Sequence, residues 1–217
     1  MKHIKSMKIT VYNIKGSTGK TPIATNIALD HDYAIATNEV YHVLGDIFPD
    51  ERVLETVPSE AFPELPKDID VVFDLGGFIE AGGQSINSAL EQSDCVIIPV
   101  NNELKALRNT IHTIEEVQGI NPNIIIVATK LELKDKITGR WDKGEDFLNV
   151  QKIIHEVTGV KYPVFPLKLS KVFETIFTEE KSIRQIRGAG GLAAYSFREV
   201  AEQFEDIYKH LKTHYGK

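Results

Sequence analysis

Gly16, Gly19, Lys20 and Thr21 stand in the segment KITVYNIKGSTGKTPIATNIAL, where an apolar run passes into a glycine-containing loop and then a helix start. These residue types at this spacing suit an anion. The two glycines let the backbone curl, so that the amides from Gly16 through Ser17 and Thr18 to Thr21 can point inward at phosphate oxygens, at the positive end of the following helix. Lys20 would neutralise the β and γ phosphates of a nucleotide, and the Thr21 hydroxyl would coordinate a Mg²⁺ bridging the same oxygens. Pro22 is compatible with this because first-turn amides have no intrahelical partner. The pattern departs from GxxxxGK[ST], since Ile14 occupies the position of its first glycine, and it carries a second lysine, Lys15. The alternative is a glycine turn with two solvated lysines. A second candidate is Asp74, at the end of the apolar run VVFDL. A carboxylate there costs desolvation energy unless a cation or hydrogen bonds offset it, which favours a metal role over a cap.

The elements that position these residues follow from hydropathy. Apolar runs at Lys8 to Asn13, Tyr33 to Thr37, Val71 to Leu75, Cys95 to Val100, Ile124 to Thr129 and Tyr162 to Leu167 alternate with helical stretches. Such runs are the buried strands of a mainly parallel sheet with helices on both faces, an α/β architecture. Glu103 to Gln118 is expected to be a helix with Leu104, Leu107, Ile111 and Ile114 on one face, and Phe147 to Val157 another. The last stretch, Ala194 to His214, places Tyr195, Phe197, Val200, Ala201, Phe204, Ile207, Tyr208 and Leu211 at helical spacing, a core stripe rather than a membrane anchor. Val40 to Asp70, interrupted by Pro49, Pro58, Pro63 and Pro66, is expected to be irregular, and RGAGG at Arg187 to Gly191 a turn.

Composition bounds the function. A chain of 217 residues with 42% hydrophobic residues is expected to form one domain over 1–217, with residues 1–6 an extension before the first strand. Twenty-five basic against thirty-one acidic residues give a formal charge of −6, which excludes a chain-wide attraction to nucleic acid or anionic membrane; any such contact is a local patch. The single cysteine, Cys95, excludes an intrachain disulfide and a CxxC metal site. No run approaches the roughly 18 apolar residues of a membrane span, and MKHIKSMKIT lacks the apolar core of a signal peptide. A cytoplasmic protein is expected. The seven histidines are scattered without metal-ligand spacing.

Lys15-Gly16-Ser17-Thr18-Gly19-Lys20-Thr21 resembles the deviant Walker A motif, KGGxGK[ST], of the ParA/MinD family of P-loop ATPases, departing only at Ser17, where that family has glycine. The resemblance extends over nearly the whole chain. It implies that Lys15 reaches across a nucleotide-sandwich homodimer to the partner's phosphates. It also implies that Asp74, in VVFDLGG, holds Mg²⁺ through water, with Gly76 or Gly77 offering an amide to the γ-phosphate and so sensing its loss. IIIVATKLE resembles the strand whose end, Thr129-Lys130, lies at the base edge. VFPLKLSKVFETIF resembles the last strand and following helix, in which the segment beginning at Pro166, with Leu167, packs on adenine.

Two features depart from that family or are diluted. Its second strand ends in D-x-D, whose second aspartate positions the attacking water. Here YAIATNEV supplies Thr37 and Glu39, so Glu39 takes the catalytic role from a longer stem and turnover is expected to be slow. Family members bind DNA non-specifically through basic residues near the C-terminus; here Lys168, Lys171, Lys181, Arg184 and Arg187 are interspersed with acids. The resemblance therefore implies a Mg²⁺-dependent, ATP-switched dimer acting in plasmid or chromosome partition, with non-specific DNA and a centromere-binding protein as partners and no membrane contact. The alternative is a nucleotide-gated positioning protein, for example in conjugation, with little hydrolysis. A membrane-bound MinD-like switch is disfavoured because no apolar tail follows the last helix, and a dethiobiotin synthetase-like enzyme because no substrate constellation is visible. Cys95 alone excludes the nitrogenase-reductase branch.

Overall fold

The computed structural model describes residues 6–77 and 83–216. Strand β1 (Lys8–Tyr12) is buried throughout. It leads through the glycine loop into helix α1 (Lys20–His31), then β2 (Ala34–Thr37), the single-turn α2 (Leu44–Ile47), β3 (Val53–Glu55) and β4 (Val71–Leu75). Beyond residues 78–82 follow α3 (Gln84–Gln92), β5 (Cys95–Val100), α4 (Leu104–Gln118), β6 (Ile124–Leu131), α5 (Glu145–Thr158) and β7 (Val164–Lys168). Four helices end the described chain: α6 (Val172–Glu179), α7 (Ile183–Gly188), α8 (Gly191–Ser196) and α9 (Arg198–His214).

The strands form one sheet in the order β3-β2-β4-β1-β5-β6-β7, with every pairing parallel. From β1 the chain passes β4's position to β2 and β3 and returns to β4, then crosses β1 to β5 and runs outward through β6 and β7, so the carboxyl end of β1 lies at the switch point where such sheets form their binding crevice. Strand residues alternate between two cores. Ile9, Val11, Ile97 and Val127 pack beneath α1, α6, α7 and α9, whereas Tyr12, Phe73, Ile98 and Ile126 pack beneath α3, α4 and α5. Both faces are covered, which explains why the strands are continuous apolar runs rather than alternating ones.

The structure contains the six expected strands with ends shifted by up to two residues, and adds β3 inside the proline-interrupted segment. Three residues are too short a run to carry a hydropathy signal. That segment is also less loose than its composition implies, since Leu44, Phe48 and Phe62 are all buried. Residues 1–5 of the expected extension lie outside the described residues, whereas Met7 is already core. Two helix faces need correction. On α4 the buried stripe is Ala106, Leu107, Thr110, Thr113, Ile114 and Val117, while Leu104 is 65% exposed, because the two threonines turn inward to hydrogen-bond near β1. The final stripe is two helices broken at Phe197, and Tyr195 is 77% exposed. RGAGG spans the end of α7 and the start of α8, with Gly190 and Gly191 both at positive φ.

Candidate nucleotide site

The glycine loop is held from below by Asn13, fully buried at the end of β1. Its Nδ2 donates to the Pro99 carbonyl at 2.8 Å and to Thr110 Oγ1 at 2.8 Å; its Oδ1 accepts from the Lys15 amide at 2.8 Å and from Thr113 Oγ1 at 3.3 Å. One side chain thus fixes the loop to β5 and α4. From the other side, Thr129 Oγ1 donates to the Thr18 carbonyl at 2.9 Å. Thr129 reaches the loop because β6 carries an irregularity between Ala128 and Leu131, with Lys130 at φ 56°, and such bulges re-aim side chains. Gly19 caps α1 at φ 96°, a conformation that glycine adopts at little cost and other residues do not, and Ser17 sits at φ 63° in the left-handed region. Gly16 and Ser17 are exposed at the rim. Lys20, Thr21 and Pro22 form the first helical turn, where the amides of Lys20 and Thr21 have no helical acceptor. The Lys15 ammonium folds back onto the Gly16 carbonyl at 3.2 Å.

Asp74, in β4, is 1% exposed and hydrogen-bonds through its side chain with Thr21. Burial pushes its carboxyl up to about 7, and Glu39 adds to that while Thr21 and Lys20 oppose it. Its Oδ1 is buried without a hydrogen-bond partner. A hydroxyl beside an orphaned carboxylate oxygen is a hard oxygen donor set of the kind Mg²⁺ takes, so Thr21 and Asp74 fit that ion. Lys20 is 9% exposed; burial pulls its ammonium down, while Asp74 and Glu39 hold it up. A buried cation between two carboxylates at the mouth of an amide-rich loop is a charge arrangement completed by a polyanion with its metal.

Glu39 lies over Gly76: a Cβ built there would stand 2.5 Å from Glu39 Oε1 and 2.9 Å from its Cγ. Thr37 is buried and accepts the Glu39 amide on its Oγ1 at 3.2 Å, a local turn contact. The amide of Gly76 is already engaged, donating to Asn38 Oδ1 at 2.8 Å, and the Gly77 carbonyl accepts from the Tyr12 hydroxyl at 3.3 Å.

Beside the loop a cavity of about 200 Å³ is lined by Thr18, Gly19, Pro22, Ile23, Thr129, Lys130, Leu167, Leu169, Ser170 and Phe173 among others. Its mixture of aliphatic walls, one aromatic ring and a few polar groups suits a nucleobase. Leu167 is brought to it, but Pro166 is not; Pro166 lines a separate groove with Trp141 and Gln203. The two hollows take consecutive stretches of the chain, Val164 to Pro166 lining the groove and Leu167 to Ser170 the cavity. Four of the five basic residues are paired with acids: Lys168 with Glu199 at 3.1 Å, Arg184 with Asp30 at 2.9 Å, Lys181 with Glu179 at 3.6 Å and Arg187 with Glu205 at 3.9 Å. Lys171 precedes α6. Sequence reasoning missed Asn13, Asn38, Ile23, Leu169, Ser170 and Phe173, whose parts depend on long-range contacts that leave no local pattern.

No protein-family model matches the chain, and no curated protein matches it in sequence. Its fold is similar to solved structures. Apo McdA from Cyanothece aligns over 95% of this chain and 99% of its own at 13% identity and a TM-score of 0.61. The MinD septum site-determining protein of Pyrococcus horikoshii, complexed with Mg-ADP, aligns over 94% and 97% at 15% identity and 0.59. A putative plasmid partition protein of Borrelia burgdorferi bound to AMPPNP aligns over 95% and 99% at 15% identity and 0.55. The chain has the fold of ParA/MinD-type P-loop ATPases. Among the described residues no helix is long and apolar enough to cross a membrane.

Proposed function

We propose that this chain, with the fold of the ParA/MinD ATPases, is a Mg²⁺-dependent ATPase that works as an ATP-switched homodimer in plasmid or chromosome partition. The observation that carries the reading is the set of buried Lys20, half-buried Thr21 and the buried, orphaned Asp74 oxygen beneath an amide-lined loop. Lys20 and the free first-turn amides of α1 bind the phosphates, and Thr21 and Asp74 hold the metal. Bound there, Mg²⁺ supplies charge neutralisation on the phosphate oxygens. The base enters the cavity between Thr129, Leu167 and Phe173. Glu39 orients the attacking water from its place over Gly76, with slow turnover because its carboxylate also neighbours Lys20. Lys15 swings from the Gly16 carbonyl to the phosphates of the second copy.

The remaining partners are non-specific DNA, on Lys168, Lys171, Lys181, Arg184 and Arg187, and a centromere-binding protein. Because four of these cations are already paired, one copy binds DNA weakly, and a dimer that doubles the contacts binds it better and with strong salt dependence. Buried, unpaired Cys95 suits a cytoplasmic setting. A second reading, a nucleotide-gated positioning protein with little hydrolysis, is favoured by Thr37 and Glu39 standing where the family has aspartates.

Light scattering with Mg²⁺ and AMPPNP, with and without random duplex DNA, tests this. ATP analogue is expected to produce a dimer, and only the dimer to bind DNA. Lys15→Ala is expected to abolish the dimer while sparing nucleotide binding, and Lys20→Ala to weaken nucleotide binding about a hundredfold. A monomer at every nucleotide concentration sinks the dimer switch.

A further inference from the structure

β7 is the last strand of the sheet, and half of its backbone has no strand to meet. In a parallel pair, the groups that reach the neighbouring strand belong to alternate residues. Along β7 these are the odd-numbered ones: the Ile126 amide donates to the Pro163 carbonyl at 2.9 Å and, past the irregularity in β6, the Leu169 amide donates to the Leu131 carbonyl at 2.8 Å. Val164, Pro166 and Lys168 therefore turn their backbone groups outward. The Lys168 amide does so visibly, donating away from β6 to Gln203 Oε1 on α9 at 3.1 Å. Pro166 has no N–H, so the rest of the edge offers the Val164 N–H and the carbonyls of Val164 and Pro166, and no hydrogen bond from the described residues reaches them.

A groove of about 700 Å³ lies along this edge, lined by Val164, Phe165 and Pro166, by Trp141 and by Gln203 and His210 of α9. Phe165 packs with the core beneath α9, while Val164 and Trp141 pack with the opposite core. α9 and Trp141 thus stand on opposite faces of the last strand, and the hollow that both line follows its edge. Walled on two sides, it has the shape of a slot for one extended chain. Its walls also carry side-chain nitrogens without partners: Gln203 is 7% exposed, and its Nε2, Trp141 Nε1 and His210 Nε2 all lack a hydrogen bond. Gln203 Oε1 holds the Lys168 amide as the carbonyl of an added strand would, so its carboxamide marks where such a strand stops, with Nε2 left over as a donor.

From this geometry we propose that the β7 groove binds an extended peptide segment of a partner protein, which lengthens the sheet by one strand through main-chain hydrogen bonds. Nothing in this depends on the nucleotide reading. Val164 gives its N–H to a peptide carbonyl, and the carbonyls of Val164 and Pro166 each accept a peptide N–H. An extended main chain presents donors and acceptors at that two-residue repeat, and Trp141 and Phe165 flank it with apolar surface for alternate side chains. The missing N–H of Pro166 leaves the edge one bond short, which blunts indiscriminate strand pairing.

The probe is an acetylated and amidated heptapeptide of alternating valine and threonine with a lysine at each end, titrated into the nitrogen-15-labelled chain. The Val164 amide and Trp141 indole N–H signals are expected to move together and saturate at millimolar peptide. The same peptide N-methylated at every residue, with no N–H to give, is expected to move neither. Val164→Pro removes the one outward N–H at the first position of an edge strand, where proline is tolerated, and is expected to weaken binding about tenfold as read at the Trp141 indole. If that variant does not fold, the wild-type chain is titrated with two peptides N-methylated at alternate residues, each keeping one free edge: at least one is expected to bind, and loss of both overturns the slot. It is overturned equally by signals that the unmodified peptide does not move, by an equal response to the fully methylated peptide, or by a Val164→Pro chain that binds as well as wild type. Movement of the same signals when the protein alone is concentrated assigns the groove to a second copy of the chain and overturns it too.

Discussion

The two sides of the candidate site are built on opposite principles. On the phosphate side, Asn13, Asn38 and Asp74 are buried polar groups whose bonds lead to residues far off in the chain, and the loop is fixed by hydrogen bonds of 2.8 to 3.3 Å. On the base side, Leu167, Leu169 and Phe173 form an apolar pocket with few polar groups. A polar scaffold fixes directions and fails sharply when one partner is removed, because the group left behind is desolvated and unpaired. An apolar pocket fixes only a shape and loses affinity gradually.

That contrast can be broken at its strong end first. Asn13→Ala takes the side-chain partner from the Lys15 amide, the Pro99 carbonyl and the Thr110 hydroxyl, while Thr113 keeps its bonds to Asn109 and Ile14, so unfolding by urea is expected to show a loss of about 2–4 kcal/mol; a loss below about 1 kcal/mol would mean that the loop is held by something else. Phe173→Ala, which also removes an edge-on contact with Phe204, is expected to cost about 1–2 kcal/mol of stability and lower AMPPNP affinity about tenfold, while inorganic tripolyphosphate binds as before. Equal loss for tripolyphosphate would merge the two sides into one. The smallest effect belongs to the rim: Ser17, at φ 63°, carries the strain of a side chain in the left-handed region, and Ser17→Gly is expected to stabilise the chain by up to about 1 kcal/mol in thermal melts. A destabilised Ser17→Gly protein would show the loop to be limited by backbone entropy.

What was legible in the sequence was what is local. The Gly16 to Thr21 loop, Asp74 and the six longer strands are each contained in a few consecutive residues, and each is found where it was expected. Asn13 and Asn38 were not legible, because their meaning lies in partners such as Pro99, Thr110, Gly76 and Ser85, and an asparagine after a strand is otherwise an ordinary turn residue. Thr129 was placed at the site, yet the bulge at Lys130 that aims it at Thr18 has no glycine to announce it. Pro166 and Leu167 are neighbours in β7, yet they line different hollows, a division that no local pattern announces. Leu104 shows the limit of periodicity, since apolar spacing favoured it over the threonines that the Asn13 network draws inward.

Trp141 is the one tryptophan of the chain, and the ammonium groups of Lys134 and Lys168 stand 5.3 and 5.6 Å from its ring. Lys168 also lines the base cavity. An indole so placed is expected to act as an optical gauge: its emission would follow the field of a charge on the wall of that cavity, so filling of the cavity would be readable from the unlabelled protein by exciting a single chromophore.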